Sequence, residues 1–488
     1  MGNDQFGKEG KGRFSKNYET LINDMKNKKI LMVIHCFFPE SVGGSENYTL
    51  SLSRELIARG WEVKIISGIK DLTSKRYRVT ESSYDGINVI KINNPPELYA
   101  EFAEHFMNPR VDGIFREIIK RESPGIIHFQ HTAYLSSRLP EIANQMNVPS
   151  VFTLHDYWYM CYRSQLLRPS EGICPGPSGG INCSTCYDPV HTPNVSKVPM
   201  FNRILQFPIV RHIDFKKRLS SEFKRKIKNI LYRKISSPSY HPDKDAAAVQ
   251  EHINRIQFMK QQLSFPAFTI SPSRYLKKRY EKEGFREILY VPHGFDPKNT
   301  IDHIPYNGKL VLAYLSNIVP FKGADVILKE LKFVNRRQDL KILLYGKVLD
   351  DIYQKEIHTL AKAYPDADIS FMGPYSGKEQ LAKILANVHF VVFPSLWEEN
   401  HPLVIGEALQ YGVPVISTSL GGAPETIQDG KNGFVFDPYK DGEFARIINT
   451  LQEHPELIQQ VTKGAGDTRL ELIGEHIDKI EGLYRRIS

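Results

Sequence analysis

Residues 391–438 read VVFPSLWEENHPLVIGEALQYGVPVISTSLGGAPETIQDGKNGFVFDP, and this stretch decides the fold. The apolar run ending at Pro394 reads as a buried strand. Pro402 suits the first turn of a helix, where its missing N–H costs nothing. Leu403, Val404, Glu407 and Ala408 fall on neighbouring helical positions, and Gly412 is the expected stop. Val413 to Thr418 begins the next strand, and Gly421–Gly422 makes a bend that a bulky side chain would resist. Glu399 in the loop and Glu407 a helical turn inside then both face the carboxyl end of a parallel sheet. Free N–H groups at the helix start point the same way and favour an anion such as a diphosphate.

The alternation continues outward. Before this stretch come strand-like runs at LVLAYLSN from Leu310, KILLYG, ISFMG and HFVVFP. A separate series begins at Lys29–Cys36 (KILMVIHC) and recurs at Val63–Ser67, Ile87–Ile92, Ile126–Phe129 and Ser150–Leu154, with helical stretches between several of them. Such alternation predicts doubly wound parallel sheets, and two series of similar size fit two facing Rossmann-like domains. The expected division is a mobile tail at 1–28, an N-terminal domain at 29–300, a C-terminal domain at 301–470 and a final helix at 471–488. The hinge is expected near Tyr290–Ile304, where VPHGFDP supplies Pro and Gly, and the chain is expected to be helical after about Gly442. In PESVGGSE, Gly43–Gly44 opens a helix that Ser45 is expected to cap.

Composition narrows the function. The 488 residues are 41% apolar, ordinary for a globular protein of two or three domains. No run approaches a transmembrane helix and the first residues lack the apolar core of a signal peptide, which together read as cytoplasmic. MGNDQF matches a myristoylation signal only in part, because Phe6 stands where Ser or Thr is expected. The net charge of +9 suits nucleic acid, an anionic membrane face or phosphorylated substrates. Without a zinc-finger, helix-turn-helix or RNA-recognition pattern, nucleic acid drops out.

Two glutamates at this spacing are common on solvated helix faces. With PS-x-x-E before and A-x-x-x-G-x-P-V after, however, Glu399 and Glu407 strongly resemble the E-x7-E signature of glycosyltransferase family 4. That resemblance covers roughly Lys29 to the C-terminus. It implies the GT-B fold, a cleft between the two domains, a last helix crossing back to the N-terminal domain, and retaining transfer from a nucleotide sugar.

It also implies roles. Glu407 would bind the nucleotide ribose, while Glu399 would lie by the donor sugar and steady positive charge at its anomeric carbon. Lys322, in VPFKG, and the backbone amides of Leu403 and Val404 would hold the diphosphate, and Gly43 and Gly44 would let phosphate approach the main chain. His155, in TLHDYW, matches the family histidine beside the transferred sugar, making His155, Glu399 and Lys322 the candidate catalytic group. His128, His131 and Asp156 are read as acceptor-side, with structural roles open for both histidines. Two departures stand out: Ser316 and Asn317 replace a common Gly-Arg, removing a second cation, and Pro402 replaces a common glycine. No D-x-D pair ends a strand as in metal-dependent transferases, so no cofactor is expected for catalysis.

Cys161, Cys174, Cys183 and Cys186 form a C-x12-C-x8-C-x2-C series in a Pro- and Gly-rich loop, while Cys36 stands apart. In a cytosolic chain this favours a metal over disulfides: structural zinc, or alternatively an iron–sulfur cluster, with free thiols or disulfides left open. The loop follows His155 directly and is expected to border the acceptor site. Residues 203–235 interleave basic and apolar side chains, which suits either a peripheral contact with the inner face of the cell membrane or a solvated helix covering the core. The sequence therefore reads as a glycosyltransferase that takes a UDP- or GDP-linked sugar to a glycan or lipid-linked acceptor, in cell-surface polysaccharide synthesis. A nucleotide-sugar 2-epimerase and a non-catalytic binding partner are the alternatives.

Overall fold

Two parallel sheets carry the molecule. The computed structural model describes residues 27–99, 101–168, 172–183, 186, 246–298 and 301–487. The tail at 1–26 and the basic stretch at 203–235 lie outside them.

The first sheet is built from β1 (Lys29–Ile34), β2 (Glu62–Ile69), β3 (Val79–Tyr84), β4 (Ile87–Asn93), β5 (Ile126–Phe129) and β6 (Ser150–Thr153). A separate two-stranded hairpin, β7 (Leu167–Arg168) and β8 (Gly172–Ile173), follows. The sheet is then completed by β9 (Phe268–Ser271) and β10 (Leu289–Tyr290). Its order is β10-β9-β6-β5-β1-β2-β4-β3, and only β3 runs antiparallel to its neighbour. β1 is buried along nearly its whole length, as a central parallel strand covered on both faces must be.

The second sheet contains β11 (Leu310–Leu315), β12 (Leu340–Tyr345), β13 (Asp368–Gly373), β14 (Phe390–Phe393), β15 (Val415–Thr418) and β16 (Gly433–Phe436). The order β13-β12-β11-β14-β15-β16 is wholly parallel. The chain winds outward from β11, then returns to β11's other side at β14. Strand order reverses there, and the loops after β11 and β14 diverge to leave a crevice. In the first sheet the same reversal separates β1 from β5.

Five helices position the site: α1 (Gly44–Ala58), α2 (Ala246–Gln262), α3 (Arg274–Lys282), α4 (Leu403–Gln410) and α5 (Ile473–Arg485). α1 buries Tyr48, Leu52 and Leu56, one helical turn apart, against the first sheet. Its N-cap is Gly43, with no side-chain cap. Ser45 instead lies inside the helix and donates its hydroxyl to Glu46 (2.8 Å), which corrects the expected cap. Pro402 likewise sits just ahead of α4 with an extended backbone, rather than within its first turn.

α5 follows the second sheet yet packs on the first. Ile477, Ile480 and Tyr484 share a core with Met32, Leu52 and Ile65. Arg59 reaches Asp478 (2.6 Å) and Glu481 (2.8 Å), and Trp61 donates to Glu481 (2.8 Å). At the crossing, Phe295 donates to the carbonyl of Glu471 and accepts from Ile473 (2.8 and 2.7 Å).

Six strands are absent from the sequence reading: β3, β7, β8, β9, β10 and β16. β3 (VTESSY) is an edge strand with little buried surface, so it has no apolar run to reveal it. β10 is only two residues long, and β9 (FTIS) alternates apolar with polar residues and so offers no apolar run. The region after Gly442 is helical, as expected, in three helices: Glu443–Glu453, Glu456–Asp467 and α5.

Candidate active site

The carboxyl ends of β11 and β14 bring Lys322 and Glu399 together as an ion pair. Glu399 also accepts from the Ser395 hydroxyl (3.1 Å) and is almost fully buried. The Lys322 ammonium lies over the Trp397 ring, 5.6 Å from its centre. Two glycines make this approach possible. Gly323 has φ +70°, and a side chain there would meet the Pro394 carbonyl oxygen at 2.0 Å. Gly421, at φ +67°, packs so closely that a Cβ would stand 2.3 Å from the Glu399 carbonyl oxygen. Both positions require glycine.

α4 begins at Leu403 and Val404, whose first-turn N–H groups have no intrahelical acceptor. Glu407, on the same helix, makes no hydrogen bond or ion pair among the described residues. Burial pushes its carboxyl up to about 7, against a weaker pull from Lys378. It is a carboxylate short of donors.

Across from these lie the ends of β1, β5 and β6. His155 follows β6, and its Nε2 pairs with the Gln130 side-chain oxygen at 2.8 Å. Burial, then His131, push its pKa down to about 3, so the ring is neutral and Nδ1 is left as an acceptor. His131 Nδ1 accepts from the Ala133 N–H (3.1 Å), so its Nε2–H donates to Asp156 (3.0 Å). Asp156 also accepts from the Trp158 N–H (2.8 Å). Burial opposes its charge, but His131 and that N–H outweigh it and keep the carboxyl below its usual range.

His128 is a correction. It lies in β5 with both nitrogens engaged at 2.7 Å, Nδ1 with the Tyr484 hydroxyl and Nε2 with Thr153. Side chains alternate along a strand, so His128 faces α5 while Ile127 and Phe129 face the other core. It ties the last helix to the sheet and does not face the cleft.

At Gly43–Gly44 the space above Gly44 is open, whereas a Cβ on Gly43 would meet the Glu46 carboxylate at 2.8 Å. Glu46 is buried and accepts from Ser41 (2.5 Å) and Ser45. Burial would raise its carboxyl, but His35 and the two hydroxyls prevail and hold it low. Glu46 was visible in the sequence only as part of the glycine motif. Asn400 carried no signal. It is buried, donates to the carbonyls of Leu154 (3.1 Å) and His155 (3.3 Å), and accepts from Ser273 (2.7 Å), so it fixes the Glu399 loop against the His155 loop.

The four loop cysteines are free thiols in one neighbourhood. Burial is the main force raising Cys161, Cys183 (to about 12) and Cys186 (to about 11), with the other cysteines adding to it. The Cys186 N–H closes a turn on the Cys183 carbonyl at 3.1 Å. Arg255 of α2 lies beside them, fully buried, with Nη2 on the Trp158 carbonyl (2.6 Å) and Nε without a hydrogen bond among the described residues. A sulfur donor set next to a buried cation fits the chemistry of a thiolate-bound metal. Even so, among the described residues no three Cys, His, Asp or Glu side chains converge to ligand spacing.

A facing pair of doubly wound domains, with acidic, basic and imidazole groups at their opposed carboxyl edges, defines a GT-B architecture. Comparison with known proteins agrees. Residues 297–467 match the model for "Glycosyl transferases group 1" and residues 42–173 that for "Glycosyltransferase Family 4". Each of the two domains thus carries a match to a glycosyltransferase model. A D-inositol 3-phosphate glycosyltransferase of Streptomyces scabiei is 28% identical over 155 residues, which is 30% of this chain and about a third (34%) of that protein. An alpha-D-kanosaminyltransferase of Streptomyces kanamyceticus is 23% identical, covering 59% of this chain and 73% of the relative. Among solved structures, sucrose-phosphate synthase from Thermosynechococcus elongatus has a TM-score of 0.60 at 17% identity, covering 94% of this chain and 98% of its own. Anabaena HepE in complex with UDP and glucose has a TM-score of 0.55 at 17% identity, covering 93% and 99%. At these identities the structural likeness establishes the fold.

Proposed function

We propose that the protein is a retaining glycosyltransferase that moves a sugar from a nucleoside diphosphate sugar to a hydroxyl of a glycan or lipid-linked acceptor, in cell-surface polysaccharide synthesis. The observation that carries this reading is the Lys322–Glu399 pair at the strand reversal, with Glu407, unpartnered among the described residues, on the helix that follows and neutral His155 across the cleft. Lys322 and the Leu403 and Val404 amides stabilise the departing diphosphate, the electrostatic task that dominates such transfers. Glu399 steadies charge at the anomeric carbon, Glu407 accepts from the ribose hydroxyls, and His155 accepts from a sugar hydroxyl. Asp156, oriented by His131, holds the acceptor.

HepE has been solved with UDP and with UDP-glucose, which makes a uridine nucleotide the first donor to test. The experiment is a thermal-shift screen across UDP-, GDP- and ADP-sugars, followed by product analysis with and without acceptor. Transfer with retained anomeric configuration supports the reading. Product from donor alone means an epimerase. Binding without turnover means a binding partner, the reading that Asn317 favours by replacing the common second cation.

Two further proposals accompany it. Zinc at the cysteine quartet would draw the four sulfurs inward as thiolates, with Arg255 offsetting part of their charge. A cytoplasmic enzyme with a lipid-linked acceptor would meet the membrane through residues 203–235, which co-sedimentation with anionic vesicles tests.

A further inference from the structure

The guanidinium of Arg279, in α3, joins two loops that the chain keeps far apart. On one side Nη2 donates to the Cys174 carbonyl at 3.0 Å and Nη1 to the Pro175 carbonyl at 3.2 Å. On the other, Nε faces Glu398 Oε2 at 3.2 Å, close enough for an ion pair though outside hydrogen-bond geometry. Glu398 is almost fully buried, and its other oxygen accepts from the Tyr275 hydroxyl on the same helix. The next residue is Glu399. The second domain also grips the start of α3, because Glu425 accepts from the N–H groups of Arg274 (3.0 Å) and Tyr275 (2.6 Å). Both the cysteine loop and the Glu399 loop are therefore anchored on one helix, and the Arg279 side chain touches both.

The charges make this a coupling rather than a coincidence of packing. Glu398 is a second buried carboxylate beside the Lys322–Glu399 pair. If Arg279 withdraws, Glu398 is left buried without its cation, and the nearest relief is a shift of the loop that carries Glu399. The position of Arg279 is set in turn by the carbonyls of Cys174 and Pro175. Each loop thus biases the other.

We propose that Arg279 is a positioning residue that couples the conformation of the cysteine-bearing loop to the placement of Glu399. This rests on Glu399 being the donor-sugar carboxylate, and it extends the reach of the cysteine loop from the acceptor side to the donor side. Coupling between sites is reciprocal. A change at Glu398, which meets the cysteine loop through Arg279, must therefore be felt by the cysteines.

The test uses the full chain without ligand. The rate at which N-ethylmaleimide labels Cys183 and Cys186 is read by peptide mass spectrometry in the wild type, Glu398→Gln, Arg279→Gln and the double variant. Each single variant is expected to speed labelling about fivefold or more, the lower range of such couplings. The double variant is expected to match the faster single one, because both break the same link. Labelling of Glu398→Gln at the wild-type rate, or additive effects in the double, overturns the proposal. If Arg279→Gln does not fold, Glu398→Gln alone decides. In a wild type that turns over, both single variants should lower kcat about tenfold while nucleotide affinity stays within about twofold, since Lys322, Glu407 and the α4 amides are untouched. A wild type without turnover defeats the transferase reading, while the labelling result still decides this one.

Discussion

Lys322, in the loop after β11, and Glu399, in the loop after β14, form an ion pair where the second sheet reverses its strand order. The pair is unequal in burial, since the Glu399 side chain is 9% exposed and that of Lys322 is 22%. Removing the lysine strands a buried carboxylate. Replacing the glutamate by glutamine leaves a group that still bonds Ser395 and the ammonium. Lys322→Met is therefore expected to cost about 1–3 kcal/mol of stability and Glu399→Gln much less, while both variants lose most turnover. Denaturant unfolding beside a transfer assay checks this, and equal stability losses would contradict the arrangement.

If Glu407 meets the donor ribose as proposed, donor binding depends on pH. Its folded-state value of about 7 lies above that of a free carboxyl because of burial. Hydroxyl donors bind the ionised form, so donor affinity is expected to rise from pH 6 to pH 8. Glu407→Gln should remove that slope, and Glu407→Ala should weaken binding by about 1.5–3 kcal/mol. Calorimetric titration at several pH values settles it; a flat wild-type profile would rule out the ribose assignment.

His128 and His476 are fully buried, and burial holds them down to about 3 and about 4. A depressed imidazole means the unfolded chain binds protons that the folded chain refuses. Stability should therefore fall as pH drops below about 6.5, by up to about 1.4 kcal/mol per pH unit for each group. Thermal unfolding at pH 7, 6 and 5 should show a steady decline, and His128→Gln should make it shallower. An unchanged melting temperature at pH 5 would mean these rings are not sealed by α5.

Zinc and turnover separate in the proposed scheme. Elemental analysis is expected to find one zinc per chain, and its absence rules that metal out. Brief EDTA treatment should leave transfer intact, because in that scheme Lys322 and the α4 amides would meet the leaving diphosphate. Loss of turnover that Mg²⁺ or Mn²⁺ restores would overturn that account.

Much of the fold was written locally. Apolar runs of four to six residues separated by glycine turns marked most of the parallel strands, since a strand buried on both faces can contain little else. The spacing of Glu399, Leu403, Val404 and Glu407 was also readable, because one loop and one helical turn fix those positions relative to each other. What the chain could not announce were relations between segments distant in sequence. Whether His128 faced the cleft or α5 depended on which side of the sheet the last helix covered, and that helix begins only at Ile473. β3, β9 and β10 are strands because a neighbour offers them backbone partners, with too little apolar sequence to show it. Asn400 holding the His155 loop, and Arg279 between Cys174 and Glu398, exist only once the two domains meet. The sequence determined each wall of the cleft from short-range pattern. The tertiary structure decided how the walls are joined, because polar side chains on loops take their roles from whatever folding brings within hydrogen-bond reach.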